Sequence, residues 1–246
     1  MTDDGVTGDG LAGEGATAGG LAGEGVTAGR PAGDEEAALP LRERKKRQTR
    51  QRISDVATVL FVERGFDKVT VAEIARAAGV STMTVFNYFP RKEDLFLDRI
   101  PEAVEVFSEA VRRRGPGETP LAALRRLALE LLDARHPLSG IADRFPPFWR
   151  IVLDSPGLRA RAREGVEEVE AALAAAFADA GVAAPDLLAA LTVAAYRSVY
   201  VASARRLLAG ERAEGIAEDH RARIGAAFDA LERTLLQEGG ERTLDG

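Results

Sequence analysis

Between Ser81 and Tyr88 the sequence STMTVFNY sets hydroxyl, amide and thioether side chains beside large apolar ones, and Phe89-Pro90 closes the run. In a helix Val85 and Phe89 lie four residues apart on one face, which leaves Ser81, Thr82, Met83, Thr84, Asn87 and Tyr88 outward. The chemistry these side chains offer is recognition. Ser and Thr hydroxyls reach bases or phosphates, an Asn amide suits an adenine edge, and Met83 or Phe86 can pack on a thymine methyl.

Other chemistries are poorly supplied. The chain has no cysteine, which excludes disulfides, thiolate nucleophiles and cysteine-based metal sites. It has two histidines, His136 and His220, too few for most zinc or catalytic arrangements. No catalytic residue, metal ligand or cofactor is therefore expected, and His136 before Pro137 reads as a turn residue. Gly8 to Gly13 fits G-x-G-x-x-G, but no apolar strand precedes it, and the pattern has physical meaning only between a strand and a helix.

The elements that must position Ser81–Tyr88 are helices. Ile53, Val56, Ala57, Leu60 and Phe61 repeat with a helical period that ends at Gly65. Thr70-Val71-Ala72-Glu73 has the form of a capping box opening a second helix, with Val71, Ile74, Ala75 and Ala78 facing a core and Gly79 closing it. Ser81 caps a third helix, which Pro90 halts. Two short helices joined by Ala78-Gly79-Val80-Ser81 make a helix-turn-helix, whose second helix enters a major groove. Beyond Phe96 the periodicity predicts helices over 95–113, 120–135, 139–151, 156–180, 185–209 and 215–237, with Pro146-Pro147 breaking or kinking the third. The expected fold is all-α: an acidic tail over 1–40, a three-helix domain over 41–95, a larger helical domain over 96–238 and a flexible end over 239–246.

Charge follows the same division. Residues 1–40 carry eight acidic side chains against one basic, whereas residues 41–100 carry 13 basic against 8 acidic. Within the latter, LRERKKRQTRQR holds seven basic residues and one acidic, either a basic arm for a polyanion or a solvated charge run. The tail contains GLAGEGATAG followed by GLAGEGVTAG, a repeat with no apolar face able to offset ordering entropy. The start has no signal-peptide core, and the apolar run from Leu187 to Tyr196 is shorter than the roughly 20 residues that span a bilayer. A cytoplasmic protein without membrane contact is expected.

The run from Arg47 to Phe96 resembles the DNA-binding domain of the tetracycline-repressor (TetR) family of transcriptional regulators. Gly65-Phe66, Thr70 to Ala75, the Ala78–Ser81 turn, Asn87 to Pro90 and Lys92 to Leu95 carry the resemblance. It implies a homodimer reading a palindromic DNA operator and released by a small-molecule effector. Arg50, Thr70 and Lys92 join the outward helix residues as expected DNA contacts, with Lys92 on a phosphate. Phe86 stands where a tyrosine is usual, and Thr82 where a longer polar or basic residue is common.

The resemblance also implies an effector-binding and dimerisation body after the reader. Ala189, Ala190, Ala194 and Ala195 thin the helix that begins at Pro185, which with the last helix would pair in a dimer or else form one subunit's core. Phe145, Phe148, Trp149, Tyr196 and Tyr200 either line a ligand cavity or are plain core, and Arg197 between the tyrosines could meet an acidic ligand. Two rivals remain: an enzyme holding an apolar substrate in its bundle, and a ligand-independent, nucleoid-like DNA binder.

Overall fold

Residues 40–241 are described by a computed structural model, the side chains of 234–241 excepted; the repeat-bearing tail and residues 242–246 lie outside the described residues. Everything described is helix, turn or irregular, with no strand. The first helix, α1 (Leu41–Arg64), buries Ile53, Ala57 and Phe61 at four-residue spacing. The basic stretch forms its N-terminal half, a solvated helical extension with no buried side chain before Ile53.

Local chemistry sets the next elements. α2 (Val71–Ala77) opens on the capping box: the Thr70 hydroxyl accepts from Glu73 N, and a Glu73 carboxylate oxygen accepts from Thr70 N. Such a cap is worth about 1 kcal/mol. Gly79 takes φ 66°, the left-handed conformation that favours glycine, and turns the chain into α3 (Thr82–Tyr88). Ser81 caps α3 by accepting from Thr84 N at 3.0 Å. After Pro90 comes α4 (Lys92–Phe96) and then α5 (Ile100–Arg112). The single helix expected over 95–113 is thus interrupted at Leu97–Arg99. Pro101 explains the break, because in a continuous helix its ring would strike the Leu97 carbonyl.

The body continues with α6 (Pro120–Asp133), a short turn at Pro137–Ser139, α7 (Phe145–Asp154), α8 (Pro156–Asp179), α9 (Pro185–Leu208) and α10 (Ala213–Glu241). The helix expected over 139–151 starts later. Pro146 and Pro147 occupy its first turn and begin it, since N–H groups there have no intrahelical acceptor to lose. The C-terminal segment expected to be flexible from 239 is helical through Glu241.

Two large apolar cores follow. One joins Ile53, Phe61, Ile74, Val85 and Phe89 of the first three helices to Val152 on α7 and Leu158 on α8, so the boundary expected at 95 and 96 falls inside shared packing. The other joins α5, α6, α8, α9 and α10 through Val111, Leu124, Phe177, Val199 and Phe228. α9 exceeds the expected apolar run: one Arg does not stop it, and an 18-residue window reaches mean hydropathy 1.4 with 33% of it buried. By length and composition alone that helix could cross a bilayer.

Candidate nucleic-acid interface and ligand cavity

α3 is held by two anchors. Val85 is 0% exposed and Phe89 1%, and burying each contributes about 1.5–3 kcal/mol. Val80 and Tyr88 pack partly buried against the same core. The opposite face is open: Ser81, Thr82 and Asn87 are exposed, Met83 is 70% exposed and Phe86 44%. Thr84 is half-buried, and its hydroxyl lies 2.8 Å from that of Ser81. Thr82, Met83, Phe86 and Asn87 have no side-chain partner among the described residues. A helix that holds two large apolar side chains and an unpaired amide in water offers a partner a contact surface, as the sequence suggests.

Three of the expected DNA contacts have other work. The Thr70 hydroxyl is engaged by Glu73 in the capping box. Lys92 points its ammonium inward, donating to the Phe66 carbonyl at 2.6 Å and lying 4.3 Å from the Phe66 ring centroid, instead of facing outward to a phosphate. Burial there pulls its pKa below the ordinary lysine value. Arg50 donates to the Asp98 carbonyl at 2.8 Å, and its guanidinium lies 4.6 Å over the Phe89 ring. The structure thus makes Lys92 and Arg50 ties within the chain. Free exposed cations do lie nearby on α1, Lys45, Lys46 and Arg47 among them.

Arg50 belongs to a joint that sequence reasoning missed. Ser54 Oγ donates to Asp98 Oδ2 at 2.6 Å, which fixes the α4–α5 link against α1. From the other side Arg161 on α8 reaches Asp94 at 2.6 Å and Glu168 at 2.8 Å, and Arg91 pairs with Glu164. Arg161 and Glu168 lie seven residues apart on one helix; the other partners are separated by dozens of residues, and no local spacing signals them.

Above the joint lies a cavity of about 340 Å³. Its walls bring together all of Phe145, Phe148, Trp149, Tyr196, Arg197 and Tyr200. Phe107 on α5 also lines it, a residue readable only from the amphipathic pattern of that helix. Its ring centroid lies 5.6 Å from Tyr196, while Trp149 lies 5.3 Å from Tyr200 and 5.4 Å from Phe148. Two buried polar atoms of these walls, Trp149 Nε1 and the Tyr196 hydroxyl, have no hydrogen-bond partner. Burial pushes the hydroxyl pKa values of Tyr196 and Tyr200 well up. Arg197 is exposed at the rim and has no ion-pair partner among the described residues. Asp98, Arg99 and Thr58 form the side toward α1, so the cavity wall and the joint share residues. His136 does not line it: its Nδ1 accepts from Leu138 N and its Nε2 lies 3.2 Å from Glu102, which ties the Pro137–Ser139 turn to α5.

A helix-turn-helix with an open recognition face, set on a hollow helical body, defines the class of helical DNA-reading regulators. Residues 53–98 match the model of "Bacterial regulatory proteins, tetR family", and this match and the relatives below indicate a TetR-family transcriptional regulator. It is 34% identical over 137 residues to the HTH-type transcriptional regulator TcmR of Streptomyces glaucescens, covering 54% of this chain and 61% of that one. It is 29% identical over 100 residues to the fatty acid metabolism regulator protein of Bacillus subtilis, covering 39% of this chain and 52% of that one. The matches thus span less than two thirds of either relative. The structure of a SmeT–triclosan complex shares the fold, at 18% identity and TM-score 0.50 over 76% of this chain and 91% of that one.

Proposed function

We propose that this chain is a homodimeric transcriptional repressor that reads a palindromic operator through α3 and leaves it on binding a small apolar or amphipathic molecule. The observation that carries the reading is the two-sided α3, buried at Val85 and Phe89 and open at Thr82, Met83, Phe86 and Asn87. In a helix-turn-helix this is the face that meets base edges. Ser81, Thr84 and Tyr88 flank that face, and the N-terminal half of α1 supplies sequence-independent attraction to phosphates. Dimerisation is supported by α9, an apolar helix on which Leu187 and Leu191 stay exposed in its own subunit. A second copy pairing α9 and α10 would cover that surface.

Ligand control follows as a population shift. The cavity shares Asp98 with the joint that holds α1 and Phe89, so a ligand favouring one arrangement of the α4–α5 link biases how the two readers are spaced. Half-sites sit roughly 34–36 Å apart, and a small displacement forfeits one of them.

The test is Asn87→Ala in a gel-shift series on the DNA flanking the protein's own gene, with size-exclusion chromatography on the same samples. Operator binding is expected to disappear while the dimer persists. Unchanged affinity and sequence preference would show that α3 is not the reader.

A further inference from the structure

We infer that the acidic segment over residues 1–36 docks on the basic N-terminal half of α1 and competes there with DNA, so that the chain carries its own inhibitor of sequence-independent binding. The competition rests on the DNA-reading proposal above; the docking itself does not.

The first half of α1 calls for an anion. Between Leu41 and Arg52 it carries seven basic residues and one acidic, Glu43. Arg50 is tied to the Asp98 carbonyl and the Phe89 ring. The side chains of the other six, Arg42, Arg44, Lys45, Lys46, Arg47 and Arg52, have no hydrogen bond or ion pair among the described residues. All but Arg44 are exposed. With about 3.6 residues per turn these cations ring the helix instead of sharing one face. Arg42 and Lys46 stand four apart and Arg44 and Arg47 three, spacings at which like charges destabilise a helix. An anion laid along this stretch relieves that repulsion.

The chain supplies one next door. Residues 1–40 carry eight acidic side chains against one basic, a net charge of −7, and all eight precede Pro40, where α1 begins. Glu14 and Glu24 each stand between two glycines, so no bulky neighbour keeps their carboxylates from a helix surface. Residues 1–39 can span up to ~3.3–3.6 Å each, several times the length of a twelve-residue stretch of helix rising about 1.5 Å per residue. Tethering sets the effective concentration of the segment at the order of millimolar, so a contact too weak to form between separate molecules is closed much of the time. Duplex phosphates and these carboxylates then compete for the same cations, and salt screens both.

The experiment uses full-length protein. A variant in which the eight acidic residues of 1–40 become their amides keeps the length of the segment and removes its charge. On a random duplex at about 50 mM salt it is expected to bind about three- to tenfold tighter than the parent, the two converging by about 200 mM. An affinity equal to the parent's across that range leaves α1 to the duplex alone and overturns the competition. The docking is read separately, without DNA, by a carbodiimide, which joins a carboxylate to a lysine amine where the two touch. Lys45 and Lys46 lie on the basic stretch, whereas Lys68 is exposed beyond the opposite end of α1. In the parent, links from Glu14 and Glu24 to Lys45 or Lys46 should exceed those to Lys68 at low salt and lose that excess at about 1 M, where the screening length is about 3 Å. No such links, or an excess that salt leaves unchanged, overturns the docking. If neither protein holds any duplex, the DNA-reading proposal fails, and the links alone decide the docking.

Discussion

The Ser54 hydroxyl donates a 2.6 Å hydrogen bond to the Asp98 carboxylate, joining α1 to the start of α5 across 44 residues of sequence. Beside it, one Arg50 guanidinium holds the Asp98 carbonyl and covers the ring of Phe89, the residue that ends α3. The wall of the cavity and the end of the recognition helix are therefore two contacts apart. Ser54→Ala should lower stability by about 1.5–3 kcal/mol, the range for a hydrogen bond to a charged group, because it strands a buried carboxylate. Urea unfolding would record this as a lower midpoint at constant slope. If Asp98 carries the ligand signal, the variant also needs more ligand to release DNA, which a gel shift with increasing ligand measures.

Asp98 has a second consequence, in pH. Burial pushes its carboxyl above the ordinary value of 3.8, against the Ser54 hydrogen bond and the charges of Arg99 and Arg50. The folded chain then holds this proton to higher pH than the unfolded one. Its contribution is fully present below 3.8 and is lost as pH rises through the raised value. His220 runs the other way. Burial lowers its pKa from 6.5 to about 4, so its contribution is present above 6.5 and is lost as pH falls toward 4. Asp98→Asn keeps an oxygen for Ser54 and removes the titrating group. Its melting temperature minus that of the parent should grow from acid to neutral pH, with His220 cancelling in the difference. A difference independent of pH would show that Asp98 is ionised normally.

Gly140 tests the cavity from outside. At φ 73° it favours glycine, and a methyl there would drive the Tyr200 ring inward, toward Trp149. Gly140→Ala is expected to destabilise the fold by at least 1 kcal/mol from the backbone alone. It should also shift the Trp149 emission and shrink the space available to any ligand. Emission unchanged from the parent would mean that Tyr200 has another way to move.

These contacts mark what was legible beforehand. The period of Ile53, Ala57 and Phe61, the Thr70–Glu73 box and the Gly79 turn are local, and they read directly from spacing. So does the division of α3 into Val85 and Phe89 against the rest. The aromatics at Phe145–Trp149 and on α9 reveal themselves by type, yet their convergence on one cavity depends on how the helices around it cross. The intrachain ties of Lys92 and Arg50 were illegible for a related reason: the carbonyls that hold them, of Phe66 and Asp98, lie far away in sequence. Pro101 and Pro146 misled oppositely, one starting a helix where continuity was expected and the other starting one where a break was.

Direct and electrostatic readout should separate on the duplex. Lys45, Lys46 and Arg47 are exposed on the N-terminal half of α1 and lack partners among the described residues, so they are available to phosphates. Each phosphate contact contributes roughly 0.9 to the slope of log K against log salt on B-form DNA. Replacing the three with alanine should flatten that slope on both operator and random duplex, and weaken the two nearly alike. Asn87→Ala should do the reverse: the slope stays, and the preference for operator over random duplex collapses, because an amide on a base edge carries sequence information without charge. Fluorescence anisotropy from about 50 to 200 mM salt resolves both effects. An unchanged slope in the triple variant would place the first half of α1 away from the duplex and leave the attraction to cations nearer α3.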